Sequence, residues 1–153
     1  MLELVSDFKA LGLHGMASAW PEVLGAARIK AMDHEAVLRQ LIKAEMAQRE
    51  VRSMAYQMRV ARFPSHRDLA GFDFGQAHVE EAQVRELHTL RFTESAHNVV
   101  FVGGPGTGKT HLATSLGIEA IRAHGKRVRF FSTVELVNAL ELEKAQNKAG
   151  QLA

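Results

Sequence analysis

The sequence predicts an α/β protein in which an N-terminal helical domain precedes the start of a parallel sheet with flanking helices. The first observation is an apolar, β-branched run at residues 98–102, which has the composition of a strand buried on both faces. A glycine-rich segment and a helix-compatible stretch follow it directly, and a second strand-like run occupies residues 127–131. A strand, a helix and a second strand in this order open a parallel sheet, whose crossover connections are right-handed.

The N-terminal part of the chain is predicted to be helical. Apolar residues near helical spacing indicate two short helices up to about residue 27, with a pair of glycines between them. Asp33 is the expected N-cap of a long helix that ends before Pro64, because proline disfavours helical backbone in the residue that precedes it. We assign residues 1–63 to an N-terminal helical domain.

Turn-forming residues are concentrated between this domain and the first strand. Residues 64–75 combine proline, glycine, serine and aspartate, which is typical of a linker. A further helix at about residues 79–90 is predicted before the strand. We assign residues 64–75 to the linker and residues 76–153 to a second, partial domain that contains the sheet.

The glycine-rich segment, residues 103–110, reads Gly-x-x-x-x-Gly-Lys-Thr and has the sequence of a phosphate-binding loop. Its glycines allow backbone conformations that a Cβ would forbid, so that successive N–H groups can point at one anion. The helix that begins near Lys109 adds unpaired N–H groups and the positive end of its dipole. Lys109 is expected to reach the β- and γ-phosphates of ATP, and the Thr110 hydroxyl is expected to ligate the Mg²⁺ that bridges them. The predicted nucleotide-binding residues are Gly103, Gly104, Pro105, Gly106, Thr107, Gly108, Lys109, Thr110 and His111.

Two similar motifs are excluded by the spacing of the glycines. A dinucleotide fingerprint needs Gly-x-Gly-x-x-Gly, whereas Gly104, Gly106 and Gly108 alternate and run straight into a lysine. A protein-kinase loop bridges two strands and places its lysine on a later strand. The segment therefore predicts a site for a nucleoside triphosphate.

Two helices complete the predicted second domain. The helix that begins at Lys109 is expected to end at Gly125, since glycine is the common residue after a helix C-terminus. After the second strand, Ser132 and Glu135 have the spacing of a capping box, which predicts a helix that runs to about residue 148.

The composition excludes several classes of function. The chain has 153 residues, 46% of them hydrophobic and 24% charged, as in a soluble globular protein. The absence of cysteine excludes disulfides, thiolate zinc sites and cysteine nucleophiles, and the eight histidines lack the close pairing of a zinc site. No apolar run is long enough to span a bilayer and no secretory signal pattern is found, so we expect a cytoplasmic protein without a membrane partner.

A basic stripe is predicted on the second half of the long N-terminal helix. Residues 49–67 contain five arginines and only one acidic residue. The formal net charge of +2 is by itself too small to indicate binding to nucleic acid. Arginines with a tyrosine among them suit phosphate backbones and base stacking, and a solvated face or ion pairing elsewhere is the alternative. The predicted DNA-contact residues are Arg49, Arg52, Tyr56, Arg59 and Arg62.

The sequence lacks the parts with which ATPases hydrolyse the nucleotide. A magnesium-organising acid is expected at the end of another buried strand, but no apolar run closing in aspartate follows Thr110. The acids after Thr110 lie in predicted helices, and neither a γ-phosphate sensor nor a trans-acting arginine is identified. We therefore assign no catalytic residue, and we expect the front part of a larger ATPase.

Residues 103–120 resemble the AAA+ ATPases of the DnaA/DnaC/IstB group. The segments 11–17, 45–50, 61–64, 72–74 and 127–138 resemble IstB-like insertion-sequence proteins. The resemblance implies a partial AAA+ P-loop domain and an ATP-binding helper of a DNA transposase. It also implies a homo-oligomer that assembles with ATP on double-stranded DNA with weak sequence preference.

Two alternatives stay open at this point. One is a helicase loader of the DnaC type, in which the N-terminal helices would bind a helicase and the protein would act as an adaptor. The other is a non-functional truncated remnant that neither folds stably nor binds nucleotide.

Overall fold

The computed structural model describes residues 2–148 and 150, which form helices joined by turns and extended segments. The chain separates into two compact units, Met1–Tyr56 and Gln57–Ala153. The helices of the described part are α1 Leu2–Ala10, α2 His14–Lys30, α3 His34–Ala61, α4 Glu81–His88, α5 Lys109–Arg122 and α6 Thr133–Ala145. Short 3₁₀ turns lie at Leu69–Gly71 and Arg91–Thr93. The predicted domain boundaries at residues 63 and 75 stay predictions.

The predicted α/β fold class with its parallel sheet is wrong, because the described residues contain no strand. The first predicted strand, residues 98–102, is not buried on both faces: Val100 and Val102 are 80% and 92% exposed. In residues 127–131, the Phe130 N–H donates to the Ala61 carbonyl at 2.8 Å, which is a single bond to a helix end. A β-branched run shows only that a segment suits a pleated surface, and a strand forms where neighbouring backbone pairs with it.

The helical N-terminal part is confirmed in the first unit. The ring of Phe8 on α1 packs edge-to-face on Trp20 of α2, with centroids 5.9 Å apart. Asp33 caps α3 as predicted, since its Oδ1 accepts the Ala36 N–H at 2.7 Å. Helices α2 and α3 approach each other closely at Gly15, where an added Cβ would lie 2.6 Å from the Ala44 carbonyl oxygen.

A carboxylate of α3 caps the first turn of α2. Glu45 is buried, and its Oε2 accepts the N–H groups of Gly15 at 2.7 Å and Met16 at 3.2 Å. Its Oε1 accepts the Nε–H of Arg49 at 2.8 Å. The Arg49 hydrogen bond, followed by the two backbone bonds, holds the pKa of Glu45 below its ordinary value, although burial acts in the opposite direction. These bonds join the two helices through a charged and fully engaged side chain.

Helix α5 forms the centre of the second unit. Leu116 and Ala120 on α5 pack with Leu90, and partly buried side chains of the preceding and following segments surround them. Gly117 lets the ring of Phe63 approach α5, since a Cβ there would lie 2.7 Å from it. This packing holds the middle of α5, which begins at Lys109 directly after the glycine-rich loop.

The glycine after α5 and the capping box of α6 are found as predicted, whereas α6 ends at Ala145 and not at about residue 148. Gly125 follows α5 with a left-handed φ of 59°. The Ser132 hydroxyl accepts the Glu135 N–H at 3.2 Å, and the Ser132 N–H donates to the Glu135 carboxylate at 3.0 Å. These bonds form the capping box, and the hydrogen bonding of Ser132 to the Glu135 carboxylate, the backbone N–H first, holds the pKa of Glu135 below its ordinary value. No described residue of α6 is buried.

Within the described part of the chain, no helix combines the length and apolar character needed to cross a bilayer.

Candidate nucleotide-binding site

The glycine-rich loop runs as an exposed turn into the first residue of α5. Its backbone takes left-handed φ values of 76° at Gly106 and 86° at Gly108, which glycine adopts at little cost. At Gly108 there is also no room for a side chain, because an added Cβ would lie 2.6 Å from a ring carbon of Phe72. Residues 103–107 are exposed, so their backbone groups are accessible to a ligand.

Lys109 holds its ammonium group over this loop. Its Nζ donates to the Gly103 carbonyl at 2.9 Å and to the Gly104 carbonyl at 2.5 Å. The Thr107 hydroxyl lies 3.3 Å from Nζ and donates to the Gly104 carbonyl at 2.9 Å. The positive charge of Lys109 is thus placed among the loop residues, at the N-terminal end of α5, where the helix dipole also favours an anion.

A cavity of about 540 Å³ lies beside the loop. It is lined by residues 71–73 and 76–79, which we call the linker wall, and by residues 101–103, 105–109, 111 and 112. Its volume falls within the range of about 300–1,000 Å³ that is usual for sites of small ligands and cofactors. The glycine backbone, the ammonium group and the helix start together fit the triphosphate of a nucleotide.

A magnesium ion would depend on the nucleotide for most of its ligands. The Thr110 side chain is exposed in the first turn of α5, where its hydroxyl can be reached. Among the residues that the structure describes, no cluster of three or more histidines and carboxylates could hold a metal ion. Mg²⁺ at nucleotide sites takes oxygen ligands from phosphates and water beside one or two protein groups, so Thr110 suits that arrangement.

His111 lies beside the cavity, but its ring bonds to the linker. Its Nε2 is 2.7 Å from the Asp68 carbonyl oxygen, and its ring meets Phe72 edge-on with centroids 5.1 Å apart. Sequence reasoning missed this contact, because no local pattern relates residues that are 43 positions apart. It also missed residues 76–79, which line the cavity. The nucleotide-binding role of residues 103–111 stays a prediction that this geometry suits.

The predicted DNA-contact residues lie on α3 and directly after it. Arg49 is bonded to Glu45, whereas Arg52 is exposed and has no ion pair within the described part of the chain. Tyr56 and Arg59 each take part in an interaction. Arg62 follows the helix with a left-handed φ of 56°, and its charge contributes to the lowered pKa of Glu135. The stripe is therefore partly engaged with carboxylates: Glu45 lies four residues before Arg49, whereas Glu135 is distant in the sequence from Arg62.

The comparisons with known proteins agree on one protein family. The profile of the family described as IstB-like ATP binding protein matches residues 6–153. A Geobacillus stearothermophilus protein, named for insertion sequence IS5376 and for ATP binding, is 35% identical over 90% of this chain and 55% of its own length. A Pseudomonas aeruginosa protein, named for IS21 and for ATP binding, is 36% identical over 82% of this chain and 48% of its own length. The chain spans about half the length of these curated relatives.

Proposed function

Because the chain belongs to the family of IstB-like ATP binding proteins, we propose that it binds Mg²⁺-ATP beside the glycine-rich loop and acts as the helper of a DNA transposase. The observation that carries the proposal is the position of the Lys109 ammonium group within an exposed glycine loop, next to a cavity of about 540 Å³. The names of the relatives, which refer to insertion sequences, favour a transposase over a helicase as the partner. We place this activity in the cytoplasm.

Different groups of the loop bind different parts of the proposed ligand. The accessible backbone of residues 103, 104, 106 and 107 can donate N–H groups to phosphate oxygens, as the glycine conformations permit, whereas Pro105 has no N–H group. Lys109 exchanges its bonds to the Gly103 and Gly104 carbonyls for stronger bonds to phosphate oxygens, because the acceptor is then fully charged. The Thr110 hydroxyl is the group that would hold Mg²⁺. When bound, Mg²⁺ would neutralise part of the phosphate charge.

Replacement of Lys109 by alanine tests the proposed function. We expect the affinity of the chain for Mg²⁺-ATP to fall by about twentyfold, because a hydrogen bond to a charged group contributes about 1.5–3 kcal/mol. Isothermal titration calorimetry on the full chain measures the effect. Lys126→Ala is the matched control, since Lys126 is exposed in the turn after α5 and does not line the cavity. A wild-type chain that binds ATP as weakly as Lys109→Ala would refute the proposal and favour the truncated remnant.

We further propose that the basic face of α3 contacts double-stranded DNA, on which the protein assembles as a homo-oligomer with ATP. Arg52 supports this best, because it is exposed and keeps its charge unpaired among the described residues. Contacts of this kind go to phosphates, so they carry little sequence preference. The transposase as partner is tested by a pull-down with a transposase and with a replicative helicase, and recovery of the helicase alone would favour the adaptor of the DnaC type.

Charge reversal at Arg52 should weaken binding to DNA and reduce its dependence on salt. We expect the slope of log K against log salt concentration to fall by about 1 in Arg52→Glu, because one phosphate contact is lost. Fluorescence anisotropy with a duplex at several salt concentrations measures it. Arg39→Glu is the control, since Arg39 pairs with Glu35 and lies on roughly the opposite side of α3. Equal slopes for both variants and the wild type would remove Arg52 from the interface.

A further inference from the structure

We propose that His111 is a positioning residue, which holds the linker against the start of α5 and thereby fixes the linker wall, the part of the cavity lining formed by residues 71–73 and 76–79. The inference rests on the proposed function, because the cavity is taken to hold ATP. His111 lies directly after the loop residues, but its ring is directed at the linker.

A single hydrogen bond joins the linker to the first turn of α5. The His111 Nε2 lies 2.7 Å from the carbonyl oxygen of Asp68. A carbonyl oxygen only accepts, so Nε2 carries a proton and donates it. The ring is half-buried, which shields this bond from competing water.

This bond fixes more than one residue of the linker, because Asp68 begins a rigid turn. The Asp68 Oδ1 accepts the Gly71 N–H at 3.1 Å and caps the 3₁₀ turn Leu69–Gly71. Phe72 follows the turn at once, and its N–H donates to the Leu69 carbonyl, so the backbone of Phe72 is bonded to the turn that Asp68 begins. The bond from His111 therefore sets the direction in which the chain enters the cavity wall.

Phe72 connects the linker to the phosphate-binding loop through its ring. Its ring meets His111 at an interplanar angle of 88°, and it lies so close to Gly108 that an added Cβ would be 2.6 Å from a ring carbon. Phe74 packs on the other edge of the same ring, with centroids 4.9 Å apart. His111, Phe72 and Gly108 thus form one continuous contact between the linker and the phosphate-binding loop.

The position of the phosphate-binding loop and the position of residues 71–73 and 76–79 depend on this contact to different degrees. The loop residues are held by the bonds of Lys109 and Thr107 to the Gly103 and Gly104 carbonyls, which do not involve the linker. The linker wall formed by residues 71–73 and 76–79 follows Asp68 in the chain, and Asp68 is held by the hydrogen bond from His111. Loss of the bond should therefore weaken contacts with the nucleoside part of a ligand, and it should leave contacts with the triphosphate unchanged.

Two substitutions separate the hydrogen bond from the mere presence of a polar side chain. The amide nitrogen of glutamine can occupy nearly the place of Nε2 and donate, so His111→Gln keeps the bond. Asparagine is shorter by one carbon and leaves the Asp68 carbonyl without this donor. If His111→Gln keeps the ATP affinity of the wild type and His111→Asn loses it, the role of His111 depends on a hydrogen-bond donor at the position of Nε2.

The test compares ATP with inorganic tripolyphosphate on the full chain, in the presence of Mg²⁺. We expect His111→Asn to bind ATP about fivefold more weakly than the wild type, in keeping with the loss of one ordinary hydrogen bond. Its affinity for tripolyphosphate should equal that of the wild type, and His111→Gln should bind both ligands as the wild type does. Phe72→Leu removes the next contact in the series, and we expect the same selective loss of ATP affinity, which provides a second variant if His111→Asn does not fold.

Several outcomes would overturn the inference. Unchanged ATP affinity in both His111→Asn and Phe72→Leu would show that the wall does not depend on this contact. An equal loss of affinity for ATP and tripolyphosphate would show that His111 acts on the phosphates or on the stability of α5. A wild-type chain that binds neither ligand refutes the proposed function first, and the inference with it, whereas the other two results leave the proposed function in place.

Discussion

The Gly15→Ala variant should have a free energy of unfolding about 3 kcal/mol lower than that of the wild type, because the added methyl group would overlap with backbone atoms of α3. A Cβ at Gly15 would lie 2.6 Å from both the Ala44 carbonyl oxygen and the Glu45 Cα. These are backbone atoms of α3, so no side chain can rotate away to relieve the overlap. The two helices must separate, and the bonds from Glu45 to the first turn of α2 lengthen with them.

Gly25→Ala provides the matched control for this substitution. Gly25 lies on the same helix, and an added Cβ would meet nothing within 4 Å. Because alanine favours a helix interior over glycine, we expect Gly25→Ala to stabilise the chain by about 0.5–1 kcal/mol. Thermal and urea unfolding, followed by circular dichroism, give both values. Equal stabilities of the two variants would contradict the close approach of α2 and α3.

The second large effect is expected at Gly108, where alanine should lower the affinity for Mg²⁺-ATP by about a hundredfold. Two costs add at this position: a left-handed φ of 86° costs a residue with a Cβ about 1–2 kcal/mol, and the overlap with Phe72 costs about as much again. The chain can avoid both costs only by moving the loop or the ring of Phe72. Either movement alters the cavity in which ATP is proposed to bind.

Gly104→Ala distinguishes this local effect from a general sensitivity of the loop. An added Cβ at Gly104 meets nothing within 4 Å, and the carbonyl that accepts from Lys109 is retained. We expect Gly104→Ala to bind ATP within about twofold of the wild type. Titration calorimetry of both variants, with melting curves to confirm folding, measures the difference. Comparable losses in Gly104→Ala and Gly108→Ala would contradict the role of the contact with Phe72.

The features that the sequence predicted correctly are local ones. The cap of α3 by Asp33, the capping box of Ser132 with Glu135 and the start of α5 at Lys109 each depend on residues within one helical turn. The motif of residues 103–110 is equally local, since its glycine spacing and the following helix are adjacent in the chain. Such signals can be read directly because the interacting groups are close in sequence.

The features that the sequence did not reveal require partners from elsewhere. The apolar run at residues 98–102 suits a strand, but strand pairing depends on neighbouring backbone that the run itself does not specify. The bond between His111 and Asp68 joins residues 43 positions apart, and the cap of Gly15 by Glu45 joins residues 30 apart. No periodicity marks such pairs, so the wall of the cavity could be found only from the structure.

The cap that Glu45 provides also makes the formation of α2 conditional on its neighbour. Leu13, at the N-cap position, offers no side-chain bond, and Gly15, Pro21 and Gly25 all weaken an isolated helix. A segment with so little helical tendency of its own becomes ordered only as it docks, so secondary and tertiary structure in the first unit should appear in one cooperative step.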